Sequence, residues 1–238
     1  MIEFSNKYRS KQEEILDDTS LRGSEMEAML SDLETVNTLL GGDKVTLFGI
    51  VSLLTNTNKE RVITILDVGC GDGAFLRKLE TFGKKNGYQF KLVGIDANAF
   101  IIDQAILRSH HQPNISFEQK NIFSKDALHP QYDIALCTLF LHHFDTKQII
   151  SILDKLTAEA KIGVVVNDLE RNWFAFWLFR LFSSIFIKTH IAKHDGLVSV
   201  ARAFKRSELI AISETIAQTT YTLKKKWAFR WQLILKKK

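Results

Sequence analysis

The run Ile65 to Gly73, ILDVGCGDG, constrains this chain more than any other feature: an apolar stretch passes straight into Gly69, Gly71 and Gly73, and a helical pattern begins at Ala74. Glycine lacks a Cβ, so the main chain can turn sharply after a strand and let a ligand pack against the backbone and the N-terminus of the next helix. The spacing is GxGxG, with the acid Asp67 two residues ahead of the first glycine. Dinucleotide folds use GxGxxG instead. A glycine loop alone occurs in unrelated α/β proteins, so its surroundings must decide.

Those surroundings alternate. The runs VITILDVG, FKLVGID, ISFEQKNI, YDIALCT and IGVVVND are predicted strands, and Ala74–Phe82, Ala97–Arg108 and Lys147–Glu159 are predicted helices between them. Alternation of this kind predicts a parallel sheet with helices on both faces. Near the end, Ser207 is a candidate N-cap for a helix over Glu208–Gln218, and TTYTL and WAFRWQLIL around KKK predict a terminal hairpin. Ahead of the first strand, apolar positions from Lys11 to Leu54 recur at helical spacing, broken at Gly41-Gly42, so residues 1–60 are expected to form a helical cap before a domain over 61–238.

A chain of 238 residues, 45% hydrophobic, can bury a sizeable core. The net charge of +5 comes mainly from the C-terminal Lys224, Lys225, Lys226, Arg230, Lys236, Lys237 and Lys238, a solvated tail rather than a nucleic-acid face. Cys70 and Cys137 have no CxxC or Cys/His spacing for zinc, and no other clear ligand cluster is visible, so no metal is expected. A reduced, cytoplasmic protein is expected, since the polar start MIEFSNKYRSKQEEILDD does not read as a signal peptide. The most apolar stretch, Trp173–Ile187, contains Arg180 and falls short of the roughly 20 residues that span a bilayer.

Taken in order, ILDVGCGDG, VGID, YDIALCTLFLHHF and GVVVNDLERN resemble the class I S-adenosylmethionine-dependent methyltransferases over Arg61 to Lys238. The resemblance implies an α/β, Rossmann-like, seven-stranded and mostly parallel sheet with a C-terminal antiparallel hairpin. It also implies S-adenosylmethionine as cofactor, held at its methionine end by Asp67, Gly69, Cys70 and Gly71 and at its ribose by Asp96 with Ala97. Asn121 stands where the family often has an adenine-binding Asp, with Ile122 beside it; Cys137 and Thr138 line the cofactor wall. FLHHF is similar to small-molecule members related to quinone-pathway enzymes, making His143, and after it His142, candidate bases that take a proton from an acceptor hydroxyl. Either histidine can equally be a satisfied structural residue.

At the end of the fifth predicted strand, Asp168, Glu170 and Arg171 are substrate candidates, or they cap the next helix and pair with one another. The following aromatic segment, with Trp173 as a substrate candidate, is apolar on every face and must be buried or inserted. It reads as part of a substrate lid over about 170–204, as a dimer interface, or as a peripheral membrane contact helped by nearby Lys188 and Lys193. HDGLVSVARAF, with EILDD and DLETVNTLLGG upstream, is similar to a bacterial subgroup of small-molecule O-methyltransferases, which adds His194, Asp195 and Arg202 as candidates. The expected acceptor is a small hydrophobic or aromatic molecule methylated on oxygen, without nucleic acid, by a monomer or homodimer. The alternatives are C-methylation of a quinone-type precursor and a non-catalytic cofactor-binding partner protein.

Overall fold

A strand buried on both faces reads as a largely apolar run, and four such runs, within VITILDVG, FKLVGID, YDIALCT and IGVVVND, lie in the middle of one sheet. The computed structural model describes residues 2–18, 20–55, 57–124, 128 and 131–238. In chain order these contain α1 (Ser24–Leu39), α2 (Gly42–Leu53), β1 (Val62–Val68), α3 (Ala74–Asn86), β2 (Gln89–Asp96), α4 (Ala99–Arg108), β3 (Ile115–Gln119), β4 (Tyr132–Thr138), α5 (Thr146–Glu159), β5 (Ala160–Leu169), α6 (Trp173–Phe186), α7 (His190–Arg202), α8 (Arg206–Thr215), β6 (Thr219–Lys226) and β7 (Arg230–Lys237). The strand order is β3-β2-β1-β4-β5-β7-β6. β1 to β5 pair in parallel, and β7 runs antiparallel to both β5 and β6. This is the α/β, Rossmann-like sheet expected from the motifs.

Two cores flank the sheet. One joins β1, β4, β5 and β7 to α5 and α8 through residues such as Leu66, Ile152, Leu153, Leu209 and Leu233. The other joins α2 and α3 to the opposite face through Ile50, Leu53, Leu76, Leu79, Ile134 and Val165. Local signals set the helix starts: Asn98 caps α4, Asp145 and Gln148 form a capping box on α5, and Asn172 and Thr189 cap α6 and α7.

Four readings of the local pattern shift. Helix does not extend back to Lys11: apart from one 3-10 turn at Ile15–Asp17, the described residues before Ser24 are non-helical. The second N-terminal helix lies against β5 and β7, where Gly49 lets Val165 approach so closely that a Cβ would sit 2.5 Å from its methyl. The helix expected from Ser207 starts at Arg206, because the Glu208 carboxylate accepts the Lys205 N–H at 2.7 Å and does the capping from inside the first turn. Lys224–Lys226 belong to strand β6, and the turn of the hairpin is Trp227–Phe229. Lys224 and Lys225 are exposed and Lys226 half-buried on this edge strand, so charge does not break the ladder.

Candidate active site

In a doubly wound sheet ligands bind beyond the carboxyl ends of the strands, where the order reverses, here between β1 and β4. Register brings the pieces together: Val68 lies between Ile95 and Cys137, so Gly69, Asp96 and Thr138 emerge side by side. A cavity of about 980 Å³ opens at this edge. Asp67, Gly69, Cys70, Gly71, Asp96, Ala97, Asn121, Ile122, Thr138, His142 and His143 all line it.

The glycine loop is held from β2. The N–H groups of Gly69 and Cys70 donate to the Ile95 carbonyl at 2.9 and 3.1 Å, and Gly71 donates to Asp96 at 3.3 Å. Gly69 has φ +70°, and a Cβ there would lie 2.4 Å from the Phe140 ring. At Gly71, φ is +55° and nothing lies within 4 Å of where a Cβ would be, so backbone conformation alone demands glycine and its open side faces the cavity. Asp67 is buried, and its Oδ1 has no hydrogen-bond partner. Burial, together with the charge of Asp96, raises the Asp67 carboxyl to about 8. A buried carboxylate oxygen with nothing to accept from is stabilised by a cationic or N–H donor entering the cavity, which fits the amino-acid end of a cofactor. Burial likewise raises Asp96, against hydrogen bonds from Asn98, Gly71 and Ala97 that favour its charged form. Asn121 closes an Asx turn, its side-chain oxygen accepting the Phe123 N–H at 2.9 Å, and keeps one lone pair for a ligand.

The histidines sit opposite the loop. His142 is buried, donating from Nδ1 to Asp168 at 2.7 Å, and its Nε2 lies 3.3 Å from Glu14. Burial favours neutral His142, but the charge and hydrogen bond of Asp168, with Glu14, win and raise it to about 9. His143 is more open to the cavity, with Nδ1 on Asp17 at 2.6 Å and Nε2 3.9 Å from Glu14. Burial opposes ionisation of Asp17 and Glu14, yet the histidines, with Arg202 on Asp17 and Ser199 on Glu14, hold both below the ordinary carboxylate range.

One face of α7 supports this cluster. Asp195 accepts the backbone N–H groups of Ile15 and Leu16 at 2.8 and 2.9 Å, and Ser199 donates to Glu14 at 2.9 Å. Arg202 bonds Asp17 at 2.8 Å and the carbonyls of His142 and His143. Among the described residues, Glu14, His142 and His143 have donor atoms within 4.8 Å of one another, a grouping with metal-ligand chemistry that no local spacing in the chain announces. Those donors already engage one another and Asp17, Asp168 and Ser199, so the arrangement is that of a hydrogen-bonded chain.

The remaining candidates lie elsewhere. Cys137 is fully buried behind the wall, and burial raises the thiols of Cys70 and Cys137 well above their ordinary value, so neither is a thiolate nucleophile. Asp168 is buried beneath His142. Arg171 does not meet the cavity: it is buried with both terminal nitrogens on the distant Glu208 at 2.8 and 2.9 Å, while Asp168 pairs with His142, Glu170 with Lys225, and Asn172 caps α6, so the expected pairing among Asp168, Glu170 and Arg171 does not form. Trp173 points to solvent on α6, no residue of which lines the cavity, and His194 bonds Asp195 and Gln12 beside it. Glu14 and Asp17 went unassigned among the catalytic candidates; the EILDD motif was their one local signal.

Residues 65–163 match the model of a family described as a methyltransferase domain. Over these residues the chain carries a methyltransferase domain. It is an S-adenosylmethionine-dependent methyltransferase. No curated protein matches it in sequence. Among solved structures, it is similar to the plantazolicin methyltransferase BpumL in complex with S-adenosylhomocysteine, with a TM-score of 0.66 and 16% identity over 87% of this chain and 88% of that one. The magnesium protoporphyrin IX methyltransferase ChlM from Synechocystis PCC 6803 gives a TM-score of 0.58 and 12% identity, covering 94% of this chain and 89% of that one. A putative O-methyltransferase from Nostoc punctiforme PCC 73102 gives 0.58 and 18%, covering 86% of this chain and 58% of that one. At these identities the structural likeness speaks to the fold.

Proposed function

We propose that this methyltransferase acts on a hydroxyl of a small hydrophobic or aromatic acceptor, with His143 as general base. The observation that carries the reading is the Asp17–His143 pair on the wall of the cavity that the glycine loop also lines. Asp17 accepts from Nδ1, which leaves Nε2 to accept the acceptor's proton, the division of labour of an acid–histidine–hydroxyl triad. Met29, Leu30, Leu33, Phe140, Phe144 and Leu169 also line the cavity, among polar residues such as Glu34, Asn37 and Lys78, and suit an acceptor with an apolar body.

Asp67 and the glycine loop would hold the methionine end of S-adenosylmethionine, Asp96 its ribose, and Asn121 with Ile122 its adenine. The cofactor, when bound, supplies a methyl already activated on a sulfonium, so no Lewis acid is needed to polarise it. The protein's part is alignment and exclusion of water, with His143 taking the hydroxyl proton as the oxygen–carbon bond forms and the carbon–sulfur bond breaks. His142, charged between Asp168 and Glu14, orients Glu14 and the backbone beneath His143 and is a positioning residue in this scheme.

The test is His143→Ala, assayed by S-adenosylhomocysteine release across a panel of phenols and long-chain hydroxy compounds. Turnover should fall about 100-fold or more while cofactor affinity, measured by calorimetry, stays within about twofold. Undiminished turnover would remove His143 from the chemistry. Nuclear magnetic resonance of the product separates a methyl ether from a ring C-methyl, and a ring C-methyl would replace the oxygen acceptor with a carbon one. Tight cofactor binding with no turnover on any acceptor would leave the non-catalytic reading.

A further inference from the structure

α6 is 14 residues long and apolar on every side, yet only part of it is covered. Its inner side is packed: Phe176 meets Phe4 with ring centroids 5.0 Å apart, Phe179 stands against Gly196 of α7 so tightly that a Cβ there would lie 2.2 Å away, and Phe182 joins the α1–α7 core. At about 100° per residue, Trp173, Phe174, Trp177, Leu178, Leu181 and Ile185 share the opposite arc of roughly 140°. All six are exposed, Leu181 and Ile185 by 63% and 67%. The patch continues onto the hairpin turn, where Phe229 meets Phe174 edge-on and Trp227 is 78% exposed. No residue of this arc lines the cavity, so the substrate site does not account for it.

We propose that this arc, with the Trp227 turn, is a membrane-docking face that lies in the interfacial layer of an anionic bilayer. Charge decides the occupant. Between Glu170 and Asp195 there is no acidic residue, whereas Arg180, Lys188 and Lys193 lie on or beside α6, and Lys224 and Lys226 lead into the turn, Lys225 between them being paired with Glu170 at 2.8 Å. The Arg180 guanidinium sits 5.3 Å from the Trp177 ring centroid, a cation beside an aromatic at the edge of the apolar arc. A second copy docked about a two-fold axis would set this face against itself, cation against cation with no carboxylate from the segment to pair. Anionic headgroups supply the missing charge, while tryptophan suits the boundary between apolar and wet layers. At 1.5 Å per residue the helix is about 21 Å long, too short to span a core of about 30 Å, so it lies along the surface.

The test uses the full chain and sized vesicles of phosphatidylcholine alone or mixed equally with phosphatidylglycerol. Co-flotation with the anionic vesicles is expected, weakened by salt and much weaker with phosphatidylcholine alone. Leu181→Glu with Ile185→Glu should cut partitioning about tenfold or more while circular dichroism and cofactor binding stay unchanged. A readout free of substitutions is quenching of the wild-type tryptophan emission by brominated lipid, which reaches Trp173, Trp177 and Trp227 but not Trp231, buried on β7. Absence of flotation and of quenching on anionic vesicles would overturn the proposal. So would a concentration-dependent dimer in sedimentation velocity that the same double substitution abolishes, which would assign the face to a second copy.

Discussion

Asp67 is where burial and function conflict most directly, because a carboxyl sealed beside Asp96 with an unpartnered oxygen is held protonated until pH about 8. Its pKa is raised from 3.8 on folding, so its contribution to stability is fully present below about 4 and is lost as pH rises through about 8. Cofactor-free protein should therefore lose about 1–2 kcal/mol from this group between pH 6 and 8, by urea denaturation. Asp67→Asn should flatten that part of the profile, and an unchanged slope would mean that the carboxyl is ionised in the free protein. His142, raised to about 9, adds a slope of the same sign that the variant retains, so the difference between the two proteins isolates Asp67. The glycines and acids of the loop could be recognised in the chain because each role depends on a neighbour a few positions away. The pairing of Glu14 with His142 could not, since no short-range spacing encodes it.

At the scale of elements, α7 acts as a clamp, with Asp195, Ser199 and Arg202 on one face gripping the Ile15–Asp17 turn and carrying it onto the histidines. Asp195→Ala strands two backbone N–H donors and should cost about 1–3 kcal/mol of local stability. The expected result is faster hydrogen exchange at Ile15 and Leu16 and a fall in turnover, with cofactor affinity kept. Unchanged exchange would show that the turn is held by other contacts. The helical period correctly located α1 and α2 but overextended to Lys11, because Ile15 and Leu16 keep the same spacing while their N–H groups bond Asp195 instead of a preceding turn. Sheet strands were easier to read, since four parallel runs, β1, β2, β4 and β5, are largely buried on both faces and leave little ambiguity.

For the whole molecule, the N-terminal segment is threaded through the fold. Phe4 packs under α6, Arg9 bonds the His142 carbonyl at 2.9 Å, and α2 lies on β5 and β7. One cooperative unfolding transition is expected, with far-ultraviolet circular dichroism and Trp231 fluorescence coinciding, and S-adenosylhomocysteine at 100 times its Kd should add about 2.7 kcal/mol. Two separated transitions would mean that the N-terminal region melts on its own. No helix among the described residues is long and apolar enough to cross a membrane. By itself the chain determined the strand–glycine–helix loop, the acid at the end of the next strand and the alternation that demands a parallel sheet, while the cofactor followed from the resemblance those motifs carry. Those depend on short-range pattern and backbone stereochemistry. Only the tertiary structure decided that Glu14 and Asp17 meet the two histidines, that Arg171 belongs to Glu208, and that α6 turns its aromatic arc outward. Which partner covers a side chain is settled by packing between segments far apart in the chain, and periodicity carries no information about that.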